Sequence, residues 1–208
     1  MRIAILAWGS LLWEGGLQFD SWHHAWQYDG PTLKIEFSRV SKRRLGALTL
    51  VIDPDHGSPT TVAWCLSKRE SLENAIADLR CRENCLVEDI GRIRIDKERV
   101  SPVSGETEDP IVAWARERDL DGVTWTALRT NFTEKANLPF SVDSVAAYLK
   151  TLDPAGKAKA AEYVWRAPQF VRTPVRAALQ GEPWFSKLQA SMLEDSGANK
   201  LAEGHKQY

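Results

Sequence analysis

Residues 2–13 read RIAILAWGSLLW, and where this stretch is placed decides the fold. From Ile3 to Trp8 the chain is continuously apolar, and the run stops at Gly9-Ser10. A run this short, closed by a turn signal, has the pattern of a strand buried on both faces that exits into a loop. A secretory leader would need a stronger basic start than Arg2 and a small-residue cleavage site, and Gly9-Ser10 interrupts the apolar stretch. The reading is a first buried strand, with the loop after it as a place where chemistry can sit.

Working outward, LKIEFSRV (33–40) alternates Leu33, Ile35 and Phe37 with Lys34, Glu36 and Ser38, and RLGALTLVID (44–53) reads as a second strand closed by Pro54. Together they predict a hairpin that turns near Ser41 to Arg44. TTVAWCL (60–66), GRIRI (91–95), IVAWA (111–115) and VTWTAL (123–128) are further strand-like runs, short and rich in β-branched or aromatic residues. A helix over 68–83 interrupts them. Ser67 and Glu70 have capping-box spacing, and Leu72, Ile76 and Leu79 follow at i, i+4, i+7. In the last third, Ser141, Asp153 and Thr173 are candidate N-caps, Pro154 and Pro174 stand at first helical positions, and Gly181 marks a stop, which predicts three or four helices. The fold class expected is α+β: a mixed, barrel-like sheet packed on one central helix, with extra C-terminal helices. No linker divides the chain, so one domain is expected over 1–195, its C-terminal helices beginning near 141, followed by a polar tail over 196–208.

A formal charge of -1 gives no overall field for collecting phosphates, so nucleic acid is not an expected partner. No apolar run approaches the length needed to cross a bilayer, so no membrane span is expected. Cys65, Cys81 and Cys85 are an odd number in a chain too large to depend on disulfides, which points to free thiols and a cytoplasmic, reducing setting. No His or Cys spacing suggests a metal site: Cys81 and Cys85 share a helix face, but His23, His24, His56 and His205 do not complete a set.

Two places could carry chemistry. Four residues beyond Leu79, the helical stripe lands on Glu83. Either the helix has ended and Glu83 meets water or pairs with Arg80 or Arg82, or it is a desolvated carboxylate with a raised pKa, suited to general base work. The other place is Trp8-Gly9-Ser10-Leu11, where a glycine after a buried strand allows successive N–H groups to be aimed at ligand oxygens; most such turns are only turns. Arg39 joins them by alternation, since an inward Phe37 puts Arg39 inward too, where a guanidinium needs an anion. The neighbouring Lys42, Arg43 and Arg44 could contact phosphates, but such a run reads first as a solvated hairpin tip. Most of the nine Trp are expected in the core, with one or two left to line a pocket.

AWGSLLW resembles the Tyr-Gly-Ser-Leu motif that opens the γ-glutamylcyclotransferase-like family, above all its glutathione-acting ChaC type, with Trp8 in place of the tyrosine. LRCREN (79–84) is similar to the helical segment in which that family's Arg-Glu pair supplies its catalytic glutamate. With the hairpin and the VAWCL strand, the resemblance covers roughly residues 3–95. It implies an enzyme that cyclises a small γ-glutamyl amide or peptide to 5-oxoproline and releases the amine. Glu83 would be the general acid and base, and Trp8, Gly9, Ser10, Leu11 and Arg39 would bind substrate. The resemblance implies no cofactor and no metal, and homodimerisation is left open. The alternative is a non-catalytic small-molecule-binding protein of the same fold.

Overall fold

The computed structural model describes residues 1–95, 107–188, 190 and 191, with the main chain alone at Leu17. The polar tail expected over 196–208 lies outside the described residues.

The first strand, β1 (Ile3–Ala7), is buried at every position. Its two faces serve two apolar clusters, as a period of two requires. Ile3, Ile5 and Ala7 pack with the helix that follows later in the chain, whereas Ala4, Leu6 and Trp8 enter the larger core. After a 3-10 turn over Ser10–Leu12 and the short helix α1 (Leu17–Asp20) comes the expected hairpin, β2 (Thr32–Val40) and β3 (Leu48–Ile52), joined through a 3-10 turn at Lys42–Arg44. Strand β4 (Ser58–Thr61) pairs with β2, and β5 (Ala63–Leu66) pairs with β1.

The single run expected over 60–66 therefore breaks at Val62 and serves two sheets. One is four-stranded and mixed, in the order β5-β1-β7-β6, with β6 at Ile90–Arg94 and β7 at Gly122–Thr126. The other is three-stranded and antiparallel, in the order β3-β2-β4. The class is α+β as expected, but the barrel-like sheet is corrected to two sheets that do not close.

The central helix α2 (Leu72–Glu83) buries Leu72, Ala75, Ile76 and Leu79 against β1, β7 and β6. It begins later than the capping-box spacing suggested. Ser71 is the cap, its hydroxyl accepting the Asn74 N–H at 3.2 Å, whereas the Ser67 hydroxyl accepts from Arg69 N–H in a bend before the helix.

IVAWA is a correction of type: it lies in helix α3 (Glu108–Glu117), not in a strand. Glu108 and Asp109 favour the positive end of the helix dipole, and Pro110 is tolerated in the first turn, where its missing N–H has no intrahelical partner. Ile111 and Ala115 then repeat at i, i+4 on the buried side.

In the last third, Ser141, Asp153 and Thr173 each accept a main-chain N–H as N-caps of α5 (Val142–Thr151), α6 (Pro154–Arg166) and α7 (Pro174–Gln180), after the short α4 (Phe132–Ala136). These helices cover the side of β2 and β3 that alternation had left polar, so Glu36 and Ser38 are fully buried. The Phe37 N–H donates to the Glu36 carboxylate at 2.7 Å, and Thr173 and Val175 at the start of α7 act to lower its pKa. Desolvation raises its pKa all the same. Among the described residues no helix is long and apolar enough to cross a membrane.

Candidate active site

The C-terminal end of β1, the last turn of α2, the hairpin end of β2 and β3, and one side of α6 meet around a cavity of about 270 Å³. Trp8, Gly9, Ser10, Leu11, Arg39 and Glu83 all line it. Residues far apart in sequence are thus brought to one place by the fold. They are joined there by Arg82, by Arg43 and Arg44, which read as a solvated hairpin tip, and by Glu14, Lys159 and Tyr163, which local patterns did not single out.

Glu83 is the last helical residue of α2. Asn84 follows in the left-handed region at φ 50°, which Asn tolerates, and its N–H satisfies carbonyls of the final turn. The chain turns away there, and the Glu83 side chain is left only 16% exposed. Burial pushes its carboxyl above the ordinary carboxylate value; Arg82, Arg43 and Arg44 pull it back and Glu14 pushes it further up. The nearest cation, Arg82 Nη1, stands 3.7 Å from Oε1, too far for a hydrogen bond.

Arg82 is otherwise engaged with the turn after β1. Its Nε donates to the Glu14 carbonyl at 3.0 Å, and Nη2 reaches the same carbonyl and that of Ser10. The guanidinium thereby ties the end of α2 to the turn, and so sets the Glu83 carboxylate beside residues 9–11.

Within the turn, Leu12 N–H bonds the Gly9 carbonyl, and Trp13 and Glu14 N–H bond that of Ser10. The first residues of such a turn keep N–H groups with no partner inside it. Leu11 N–H has no acceptor among the described residues, and Leu11 is one of the residues that line the cavity.

Gly9 does not have the conformation that usually calls for glycine. Its φ is -128°, in the range open to any residue. What it lacks is room, because a Cβ there would stand 2.7 Å from the Tyr163 hydroxyl. Trp8 donates its indole N–H to the Leu50 carbonyl at 3.3 Å.

Arg39 reaches the cavity by another route than strict alternation. The β2–β3 register shifts between Glu36 and Arg39, a bulge that re-aims the side chain. Arg39 is half-buried, and its Nη1 donates to the Arg129 carbonyl at 2.6 Å. The basic run beside it is not simply a solvated tip. Lys42 and Arg43 are exposed, but the Arg44 side chain is 17% exposed, pairs with Glu14 at 2.5 Å and lies 4.7 Å over the Tyr163 ring. Five cations and two carboxylates thus face one cavity in a chain whose net charge is -1.

Tyr163 comes from α6, a helix that sequence patterns located by its cap without any hint of the site. The residue is 3% exposed, and burial pushes its phenol up to about 12. Its periodicity with Ala160 and Val164 reads as core, so no local signal marks it. Among the described residues no group of acidic, His and Cys side chains could hold a metal ion. Cys65 is buried between β1 and α2, and Cys81 and Cys85 are unpaired near the end of α2.

No family model matches the chain, and no curated protein sequence matches it. Among solved structures, the crystal structure of a selenomethionine-labelled γ-glutamyl cyclotransferase specific to glutathione, from yeast, is similar over 93% of this chain and 96% of its own, with 12% identity and a TM-score of 0.35. A likeness that loose carries no weight for the site, which stands on its own geometry.

Proposed function

We propose that this chain is a γ-glutamylcyclotransferase-like enzyme that cyclises a small γ-glutamyl amide or peptide to 5-oxoproline and releases the amine. The observation that supports it is the meeting of Glu83, a largely buried carboxylate with raised proton affinity, with the turn at residues 9–11 on one cavity. At about 270 Å³ the space suits a small ligand.

In this reading Glu83 takes a proton from the substrate's α-ammonium. The freed amine attacks the γ-carbonyl carbon of the same molecule, forming the N–C bond of a five-membered ring and placing negative charge on the carbonyl oxygen. That oxygen is met by main-chain N–H groups such as that of Leu11. The C–N bond to the leaving amine then breaks as Glu83 returns the proton to the departing nitrogen, and the second proton of the new ring nitrogen passes to the released amine, which departs as an ammonium. Nucleophile and electrophile belong to one substrate, so positioning supplies much of the rate. In this reading Arg39 and Arg43, both on the cavity, hold the substrate's α-carboxylate. The scheme assigns no role to a metal or cofactor, and the three unpaired thiols suit a reducing cytoplasm.

One observation favours the second reading, a binding protein without turnover: the indole N–H of Trp8 is spent on the Leu50 carbonyl. Incubation with a panel of γ-glutamyl peptides and amines, with 5-oxoproline detected by mass spectrometry, separates the two. Turnover lost in Glu83→Gln by about a hundredfold or more supports the enzyme. Binding of panel members with no 5-oxoproline from any of them supports the binder.

A further inference from the structure

The turn at residues 9–11 and strand β3 converge on a single oxygen, the hydroxyl of Tyr163. Leu50 N–H donates to it at 3.4 Å, and the turn comes so near that a Cβ on Gly9 would stand 2.7 Å from it. A phenol has two acceptor positions and one proton. Leu50 N–H occupies one acceptor position, and no described residue accepts the proton.

A buried hydroxyl proton without an acceptor is costly unless something enters to take it. Tyr163 lines the cavity, so the proton is open to water in the free protein and to an oxygen of a ligand that displaces it. The ring cannot easily turn away. Trp13 and Phe37 meet it edge-on at 5.2 Å and 6.2 Å, and the Arg44 guanidinium covers a face. Gly9 is bare where a Cβ would collide with the hydroxyl. Leu50 links the two aromatic groups of the site, since its carbonyl takes the Trp8 indole N–H while its own N–H serves Tyr163. A phenolic hydroxyl that the turn itself lacks is thus returned to it by α6.

We propose that the Tyr163 hydroxyl donates a hydrogen bond to the substrate's γ-carbonyl oxygen and completes, with the main-chain N–H groups of the turn, the set that holds the oxyanion. This rests on the cyclotransferase reading for the identity of the oxygen. Burial keeps the phenol protonated through the neutral range, so the donor is present at working pH. Donors fixed before reaction, and strongest toward charge that develops late, act on kcat more than on KM.

The test compares wild type with Tyr163→Phe, which keeps the ring and its contacts. Two readouts are used: turnover of the best panel substrate, and affinity for 2-amino-4-phosphonobutanoate, a glutamate analogue whose distal group is tetrahedral and anionic. The expected result is a kcat lower by roughly a hundredfold with KM within about threefold. Phosphonate affinity should fall by more than about tenfold. A variant with wild-type kcat and phosphonate affinity overturns the proposal and leaves the cyclotransferase reading in place. A wild type that turns over no γ-glutamyl compound, yet binds the phosphonate through a Tyr163-dependent contact, overturns that reading and leaves the donor. A wild type that neither turns over substrate nor binds the phosphonate overturns both. Should Tyr163→Phe not fold, 3-fluorotyrosine at position 163 keeps the hydroxyl and makes it a stronger donor. Tighter phosphonate binding then supports the proposal, and unchanged binding overturns it.

Discussion

Glu83 has a higher proton affinity when folded than in the open chain, and that has a sign. The unfolded carboxyl titrates near its ordinary 4.5, and the folded one higher, because burial disfavours the charge. Below about pH 4.5 both states are protonated and nothing is lost. As pH rises past that point the folded state retains a proton that the unfolded state has released, so stability falls until the folded carboxyl has also ionised. Glu83→Gln removes the titrating group while keeping its size. Its thermal midpoint should therefore exceed that of wild type at pH 7.5, and the difference should vanish at pH 4. A midpoint gap that is equal at both pH values would show that the carboxyl is not desolvated. The same ionisation should give the wild-type rate a rising limb above the usual carboxylate range, since the base must be deprotonated to act. At this scale the sequence was informative about Glu83, because helical spacing alone aims it along the buried stripe. It was silent about Tyr163, because a tyrosine among alanines and valines on a helix looks like core until a second segment is brought against it.

Elements were legible where their signals are local. Ser141, Asp153 and Thr173 cap helices as their spacing to the following prolines and apolar residues suggests, since a cap needs only the next three residues. IVAWA misleads because five apolar residues suit a buried strand or a buried helix equally; the deciding signal is Pro110 with its acidic neighbours in front of the run. Ser67 and Ser71 compete as caps of α2, and the bridge of Ser67 to His23, a partner outside the segment, holds the earlier serine in extended chain. These observations give an expectation for α6. Its Asp153 carboxylate accepts the Gly156 N–H at 2.6 Å, ahead of Pro154 at the first helical position. Asp153→Ala should cost about 1 kcal/mol in urea-induced unfolding. The rate should stay within about twofold, because Tyr163 sits ten residues on, roughly 15 Å along the helix, and is held by its own packing. A large loss of rate with little loss of stability would mean that the cap positions the site and does more than begin the helix.

At the scale of the whole molecule, the break at Val62 is what no single segment could show. One apolar run serves two sheets because its halves find different partners, β2 and β1, and pairing of that kind is decided by contacts distant in sequence. The cavity is made the same way: net charge describes the chain, whereas the cluster of Arg39, Arg43, Arg44, Arg82 and Lys159 exists only once hairpin, helix and C-terminal segment are assembled. A site assembled from four segments should respond to a ligand as one body. Free ligand at a hundredfold over its dissociation constant stabilises the native state by about 2.7 kcal/mol. Hydrogen exchange should show that gain together in the turn at Ser10–Leu12, in the last turn of α2, near Leu50 and around Tyr163. Slowing confined to the turn and α2, with α6 exchanging as in the free protein, would show that a γ-glutamyl ligand is held by the N-terminal segments alone and that α6 closes the cavity without taking part in it.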